Sequence, residues 1–579
     1  MKLKLLMVPP AFAIALLIAV FAEKQPLEQK YKREKAARAK VVIRCGPEWS
    51  EIKEWIDESD IPLLPGVGTL QWKIRTTSDS AQLYFNQGIN TYYGFHIIEA
   101  MASFKKAARF DSSSAMIQWA QALTYGPNIN DLGYSASPDA MVAINKAISL
   151  STNATEKEKF LIEGQRARYS IDSTLTRSEL NQRYADKMKE AYLKFPGDAD
   201  IAVLYADALM LQHPWDLWNT DGTPKAWTPL IENVLEKVLA TTPDHLGANH
   251  YYIHVMEPSP FASKATRSAD RLGKLAPGLS HLVHMPSHIY LRTGEYGKGV
   301  DVNVEAVKSY ERSIPLYLPV TANDFLYVIH NRHMQANNAM MEGNAAHAME
   351  AAKETVASIN PDYLQAPGAL GNIVQYVYMT PVLVQIRFGH WADLLSMLHP
   401  VSSLVYANIL YHLGRGMAMV RGHELQGAAM ELDSLRQLMK DTVLSMPMTP
   451  FSPAMDGAVI AENLLAGSIA LAGNRQDEAI GKFKKAVTVE ENMVYNEPRD
   501  WMLNPKHYLG DAYLKAGKWQ EARQVFEKDL LNNNENGWAL MGLYQSLIAG
   551  KKRVDAARVY TRYQQAFFSS DIQLKNVVF

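Results

Sequence analysis

Three stretches of this chain carry paired histidines at helical spacing: His250-Tyr-Tyr-Ile-His254, His284-Met-Pro-Ser-His288 and His330-Asn-Arg-His333. Residues three or four apart on a helix lie one turn above the other on one face, so each stretch can aim two imidazoles at one point. Eight of the 16 histidines fall within 89 residues, the other two being His245 and His281. Imidazole nitrogens suit zinc, copper, iron and nickel. The cluster therefore reads as a site for a divalent metal ion, copper or zinc foremost and iron within range. Its candidate ligands are His250, His254, His284, His288, His330 and His333. A catalytic ion typically takes about three protein ligands and keeps a position open for water or substrate. Six histidines exceed that number, so the surplus either orients other ligands or serves a second ion.

Glu257 follows His254 by three residues and shares its face. It is the candidate catalytic group, able to ligate, to orient a ring or to take a proton from bound water. His281 and Tyr290 flank the second pair, and His245 opens the first helix. Asn249, Asn331 and Asn337 are candidates to hydrogen-bond ring nitrogens. Pro286 interrupts the second pair: it either kinks the helix so that both rings turn inward, or marks where the helix begins. A different reading fits the same residues, in which the histidines line a pocket for a polar or anionic ligand or satisfy one another in the core.

Such pairs need a scaffold, and internal repetition supplies it. Gly88, Ala100, Phe104 and Ala107 stand at offsets 8, 20, 24 and 27 of a 34-residue unit starting at Ala81. Gly467, Ala479, Phe483 and Ala486 take the same offsets in a unit starting at Ile460. Leu509, Gly510, Tyr513, Ala522 and Phe526 correspond in a unit from Leu503, and Trp538, Met541 and Gly542 open another. Between these, breakers such as Pro196-Gly197, Pro258-Ser-Pro260, Pro277-Gly278 and Pro361-Asp362 separate expected helix pairs. The pairs are 155–170 with 177–194, 198–212 with 226–241, 245–257 with 261–275, and 279–293 with 296–312. Three more follow: 322–342 with 344–358, 371–388 with 391–398, and 403–421 with 423–442. No stretch alternates as a set of strands would.

This pattern resembles the tetratricopeptide repeat (TPR), in which small residues let two antiparallel helices pack closely and aromatics fill the gaps between repeats. The resemblance implies an all-α fold, an α-solenoid of TPR-like hairpins wound as a right-handed superhelix, with about ten to twelve hairpins stacked in series. It also implies that the first helix of each hairpin lines the concave face. The three histidine pairs all fall on first helices of successive hairpins. The segments Gly94-Phe-His-Ile-Ile-Glu-Ala100, Gly126-Pro-Asn-Ile-Asn130, His213-Pro-Trp-Asp-Leu-Trp218 and His281-Leu-Val-His-Met-Pro-Ser-His288 are similar to a large bacterial group of TPR proteins that commonly carries export signals. That likeness implies fold and export but no activity, and the histidine cluster departs from ordinary TPR positions, which are structural.

Composition narrows the rest. With 47% hydrophobic and 21% charged residues, the 579-residue chain is built to fold into several domains or a repeat array. A net charge of −1, and no basic patch interleaved with aromatics, argue against nucleic acid as a partner. The single cysteine, Cys45, excludes an internal disulfide and any thiolate-rich metal site, leaving nitrogen and oxygen ligands. No phosphate-binding glycine loop, G-x-S-x-G elbow or H-E-x-x-H helix occurs.

Lys2 and Lys4 precede an uncharged run from Leu5 to Ala22, which reads as a signal peptide or, with its helix, as a membrane anchor. Residues 23–40 then hold seven Lys/Arg against three Glu, a flank more usual on the cytoplasmic side. The reading is nonetheless an extracytoplasmic, periplasmic protein, either released or tethered. The chain divides into 1–22, signal or anchor; 23–68, charged linker and N-terminal extension; 69–450, TPR-like solenoid with the histidine-rich concave face; and 451–579, C-terminal TPR repeats. Three loops are long or polar enough to reach across the groove: 125–130, 213–218 and Glu497-Pro-Arg-Asp-Trp501. The functional expectation is an exported TPR solenoid with a metal site, serving metal-assisted hydrolysis or an oxidation. The alternative is an envelope scaffold whose groove holds a peptide or protein partner without catalysis.

Overall fold

Glycines at the repeat offsets show why this chain folds as it does. A Cβ on Gly88 would lie 2.4 Å from the ring of Phe104, one on Gly467 2.6 Å from Phe483, and one on Gly510 2.2 Å from Phe526. In each hairpin the second helix presses an aromatic ring onto the bare backbone of the first. Phe526 also faces Gly542 of the following hairpin at 2.3 Å, so the same ring closes the gap between repeats.

The computed structural model describes residues 49–131, 134, 136–319, 325–446, 452–497 and 501–579. The signal or anchor at 1–22, the charged run from 23 to 48 with Cys45, the 450/451 boundary and residues 498–500 lie outside them. The helices run α1 (Trp49–Glu58), α2 (Asp79–Tyr93), α3 (Ile97–Phe110), α4 (Ala115–Thr124), α5 (Pro138–Leu150), α6 (Glu156–Ala167) and α7 (Arg177–Lys194). Next come α8 (Ala199–Met210), α9 (Thr228–Thr241), α10 (Leu246–Met256), α11 (Thr266–Leu275), α12 (Ser280–His284), α13 (Pro286–Thr293) and α14 (Tyr296–Ser313). A π-helical turn (Phe325–His330) leads into α15 (Asn331–Glu342), α16 (Ala345–Ser358), α17 (Gly368–Tyr378), α18 (Thr380–Phe388), α19 (Trp391–Ser396), α20 (Val405–Arg421) and α21 (Leu425–Leu438). The last are α22 (Ala454–Ala472), α23 (Gln476–Asn492), α24 (Pro505–Lys515), α25 (Trp519–Asn532), α26 (Gly537–Ala549) and α27 (Arg553–Ala566). Among the described residues there is no strand; an isolated bridge joins Trp218 and Pro224.

The expected hairpins appear, but 279–293 divides at Met285 and 371–388 at Met379, and 322–342 is described only from Phe325, as the π turn followed by α15; successive helices pack as antiparallel hairpins in an α-solenoid. Local chemistry fixes their starts. Thr155 and Thr176 each accept from the backbone three residues on, while Glu158 and Glu179 reach back, closing two capping boxes. Helix α22 is long and apolar enough to cross a membrane, yet it is mostly buried between neighbouring helices as a core element.

Contacts also reach between distant repeats. Helix α10 touches α2, and α15 touches α26. Trp538 donates to the Met340 carbonyl at 2.9 Å, and the Tyr296 hydroxyl donates to the Asn534 carbonyl at 2.8 Å. The consequence for α10 is complete enclosure: every residue from Leu246 to Met256 is buried. Polar side chains on such a helix must find partners inside the protein.

Candidate metal centre

Enclosed on α10, His250 and His254 find each other. Their Nε2 atoms are 3.0 Å apart, and His281 on α12 brings its Nε2 to 3.1 Å from that of His250. A second trio forms beside the first. His284 Nε2, at the end of α12, is 2.7 Å from His288 Nε2 on α13 and 3.0 Å from His330 Nε2 at the end of the π turn. Within each trio the three nitrogens all lie within 4.8 Å of one another. The trios adjoin, with the His281 and His284 rings 6.0 Å apart.

The far side of each ring decides what the near side offers. His250 Nδ1 is 2.6 Å from the Tyr93 carbonyl, which can only accept, so Nδ1 carries the proton and Nε2 keeps its lone pair. His284 Nδ1 stands 2.7 Å from Asn303 Oδ1, whose amide nitrogen donates to the Gly299 carbonyl and so fixes which end faces the ring. Glu257 serves both trios. Its Oε1 is 3.0 Å from His254 Nδ1, and its Oε2 is 3.1 Å from His288 Nδ1. A histidine that gives one N–H to a carboxylate or carbonyl and aims the other nitrogen at a common point is the arrangement of metal-bound imidazoles. Two nitrogens each about 2.0–2.1 Å from one ion lie about 2.9 Å apart at a right angle and about 3.4 Å apart at the tetrahedral angle. Most of the spacings here fall in that interval. Bare lone pairs at such distances repel, so each trio calls for a positive centre, proton or metal.

Electrostatics divides the rings into two groups. Burial, reinforced by neighbouring histidines, pushes His250, His281 and His284 well below the ordinary imidazole range and takes His330 down to about 3. These four are neutral and ready to donate lone pairs. Burial also acts against a charge on His254, but hydrogen bonds with Glu257 and Glu497 overcome it and raise the ring to about 9. His288 is raised likewise by the charges of Glu257 and Glu497. Glu257 itself is held far below the usual carboxylate range: burial opposes this, and the facing His288 and His254 prevail. Glu497 goes the other way, raised by burial and by the charge of Glu257.

Aromatic rings roof the first trio. Phe95 lies 5.4 Å from His281 and 4.6 Å from His250, and its φ of 56° puts a bulky residue in left-handed backbone space. Trp215, at φ 61°, sets its edge against His254 at 5.3 Å and donates to the Ile129 carbonyl. The loops at 125–130 and 213–218, read from sequence as able to reach the groove, thus meet at the site.

Several expectations need correcting. His333 is not in the cluster: its Nδ1 pairs with Thr380 Oγ1 at 2.9 Å, and burial lowers it to about 4. Three residues advance about 300° around a helix, leaving about 60° between His330 and His333, and this suffices to send the second ring to the next hairpin. His281 stands in the cluster instead, and its signal was visible: His281, His284 and His288 form one stripe at spacings of three and four. Pro286 does end α12, but Met285 stays in right-handed helical space, so the two rings it separates still share a face. His245 caps α10 by accepting from the Ala248 N–H. Asn249 and Asn331 donate to backbone carbonyls, and Asn303 orients a ring. Tyr290 donates to Asp270. Glu497 had no signal of its own beyond its loop. It stands 3.1 Å from His254 Nδ1 and forms a third possible ligand group with His254 and Glu257.

Fold and site together define a TPR-like helical-repeat protein with a buried histidine-carboxylate cluster. No family model matches the chain, and no curated protein does. Among solved structures, it is similar to the human IFIT1 dimer with m7Gppp-AAAA at 10% identity, covering 86% of this chain and 92% of that one, with a TM-score of 0.30. Yeast Tom70 is similar at 13% identity, with 84% and 93% covered and a TM-score of 0.29. The APC/C hetero-tetramer Cut9–Hcn1 is similar at 13% identity, with 86% and 76% covered and a TM-score of 0.25. Such distant likenesses say nothing of what this chain binds.

Proposed function

We propose that the chain is a metal-binding protein that uses its TPR-like scaffold to hold copper or zinc, with iron within range, in the buried histidine cluster. One observation carries this: His250 Nε2 lies 3.0 Å from His254 Nε2 and 3.1 Å from His281 Nε2, the three within 4.8 Å of one another, while His250 and His254 have their other nitrogens held by a carbonyl and a carboxylate. Three ligands leave a coordination position free, which supports metal-assisted hydrolysis or an oxidation. Glu257, with both oxygens engaged and its charge stabilised, suits orienting rings better than taking a proton. Glu497, a carboxyl raised by burial, is the better acid or base. The apolar run at 5–22 supports a periplasmic or membrane-tethered location.

The helical-repeat architecture itself supports a second reading, a scaffold for a peptide or protein partner, because stacked hairpins form an extended groove. Elemental analysis of untagged protein after metal-supplemented expression separates the two. Metal below about a tenth of an equivalent would remove the first reading, since structural and catalytic ions of this kind bind far more tightly than that.

A further inference from the structure

Beyond the histidine cluster, a cavity of about 50 Å³ opens between α13, α15, α23 and the loop before α24. One cation and one anion stand in its walls: Arg292, four residues after His288 on α13, and Glu490 on α23. Both are buried and held in place. The Arg292 guanidinium lies 5.9 Å from the centre of the Tyr495 ring, and its Nη2 donates to the Ser259 carbonyl at 3.2 Å. Lys506 Nζ donates to Glu490 Oε2 at 2.7 Å.

Asn337 on α15 adds the telling group. Expected from sequence to meet a ring nitrogen, it lines this cavity instead, 9% exposed, and makes no side-chain hydrogen bond among the described residues. An amide so enclosed has two N–H donors and an acceptor oxygen to satisfy, and calls for a guest that both accepts and donates. Asn533 commits its amide nitrogen to Asp529 Oδ1 at 2.8 Å, so its oxygen is the group left to meet a donor. Met341 and Met502 give the same space an apolar side. A water needs about 10–15 Å³ on this measure, so the room suits about three to five waters or one molecule of about six non-hydrogen atoms.

A simple anion here would be repelled by Glu490, and a simple cation by Arg292. A guest that carries both charges meets a partner at each wall. We infer that this cavity binds a small α-amino acid, its carboxylate at Arg292 and Asn337, its ammonium at Glu490 and the Asn533 oxygen, and a short apolar side chain against Met341 and Met502. Guanidinium and carboxylate match in shape as well as charge. The inference goes beyond the metal-binding reading and does not depend on it.

The test is isothermal titration calorimetry of the full-length, metal-free protein with L-alanine, propionate and ethylamine. L-Alanine should bind saturably, about tenfold or more tighter than propionate, which lacks the ammonium, or ethylamine, which lacks the carboxylate. Asn337→Leu fills the cavity without removing a side-chain hydrogen bond from the fold, and should weaken L-alanine about tenfold or more. Far-ultraviolet circular dichroism checks that this variant keeps the parent's helical content. No saturable heat from L-alanine, propionate or ethylamine bound as tightly, or a folded Asn337→Leu that binds like the parent would each overturn the proposal. Because metal is absent throughout, none of these outcomes bears on the metal-binding reading, which elemental analysis decides.

Discussion

The Tyr495 hydroxyl donates to Glu257 Oε2 at 2.8 Å, joining positions 238 residues apart. The bond fixes a carboxylate that itself holds one histidine in each trio. The loop before α24 is therefore part of the site's support, although it lies several hairpins away in sequence.

Replacing Glu257 with Gln keeps the shape and removes the charge that orients His254 and His288. Metal affinity should fall about 10–100-fold, the usual cost of losing such a partner. Tyr495→Phe should fall near the lower end of that range. Competition titration against a chelator measures both, and unchanged affinity in Glu257→Gln would deny the carboxylate its orienting role.

His254→Ala and His333→Ala should part company. The first removes a converging nitrogen and should lose the ion held by the first trio, with little change in helical content. The second loses only a bond to Thr380 and should keep its metal. Equal losses would mean that His333 reaches the cluster after all.

A pair of glycines gives opposite signs. Gly467→Ala drives a methyl into the ring of Phe483, and overpacking of that kind costs about 1–3 kcal/mol. Gly481→Ala, on the exposed side of α23 with nothing within 4 Å, should instead stabilise by about 0.5–1 kcal/mol. Chemical denaturation of the two variants beside the parent reads this directly.

Asp207 on α8 is 1% exposed, and neither of its oxygens has a hydrogen-bond partner among the described residues. Burial raises its carboxyl to about 6, against a partial opposing pull from Arg168. The folded state thus binds a proton that the unfolded chain, with a pKa of about 3.9, releases earlier. Between about pH 4 and pH 6 the native form holds more protons, so this group's contribution to stability declines as pH rises and is flat above that window. The difference is on the order of 2–3 kcal/mol. Asp207→Asn should be the more stable protein at pH 7 and should lose the decline, as denaturation curves across the window will show.

Much of this architecture was legible in the chain. The offsets of Gly88 and Phe104, repeated at Gly467 and Phe483, announce a packing contact that the structure contains as a ring on bare backbone. The histidine stretches likewise announce converging helices, because helical periodicity turns sequence spacing into direction. Where direction depended on more than periodicity, reading failed. His333 and His330 are separated by rotation that a spacing of three does not cancel. Glu497 arrives through the folding of distant repeats onto one another, which no local pattern encodes. Asn303 was hidden because its contact with His284 crosses between the two helices of one hairpin, and spacing along a single helix does not reveal it.

The donors and their supports run from the Tyr93 carbonyl to Glu497. A ribosome must therefore release most of the polypeptide before any trio is supported from both sides. A product cut short ahead of residue 495 would keep six histidines yet lack Tyr495 and Glu497 to steady them. On the metal-binding proposal, loading with an ion would then report that synthesis had run past that point.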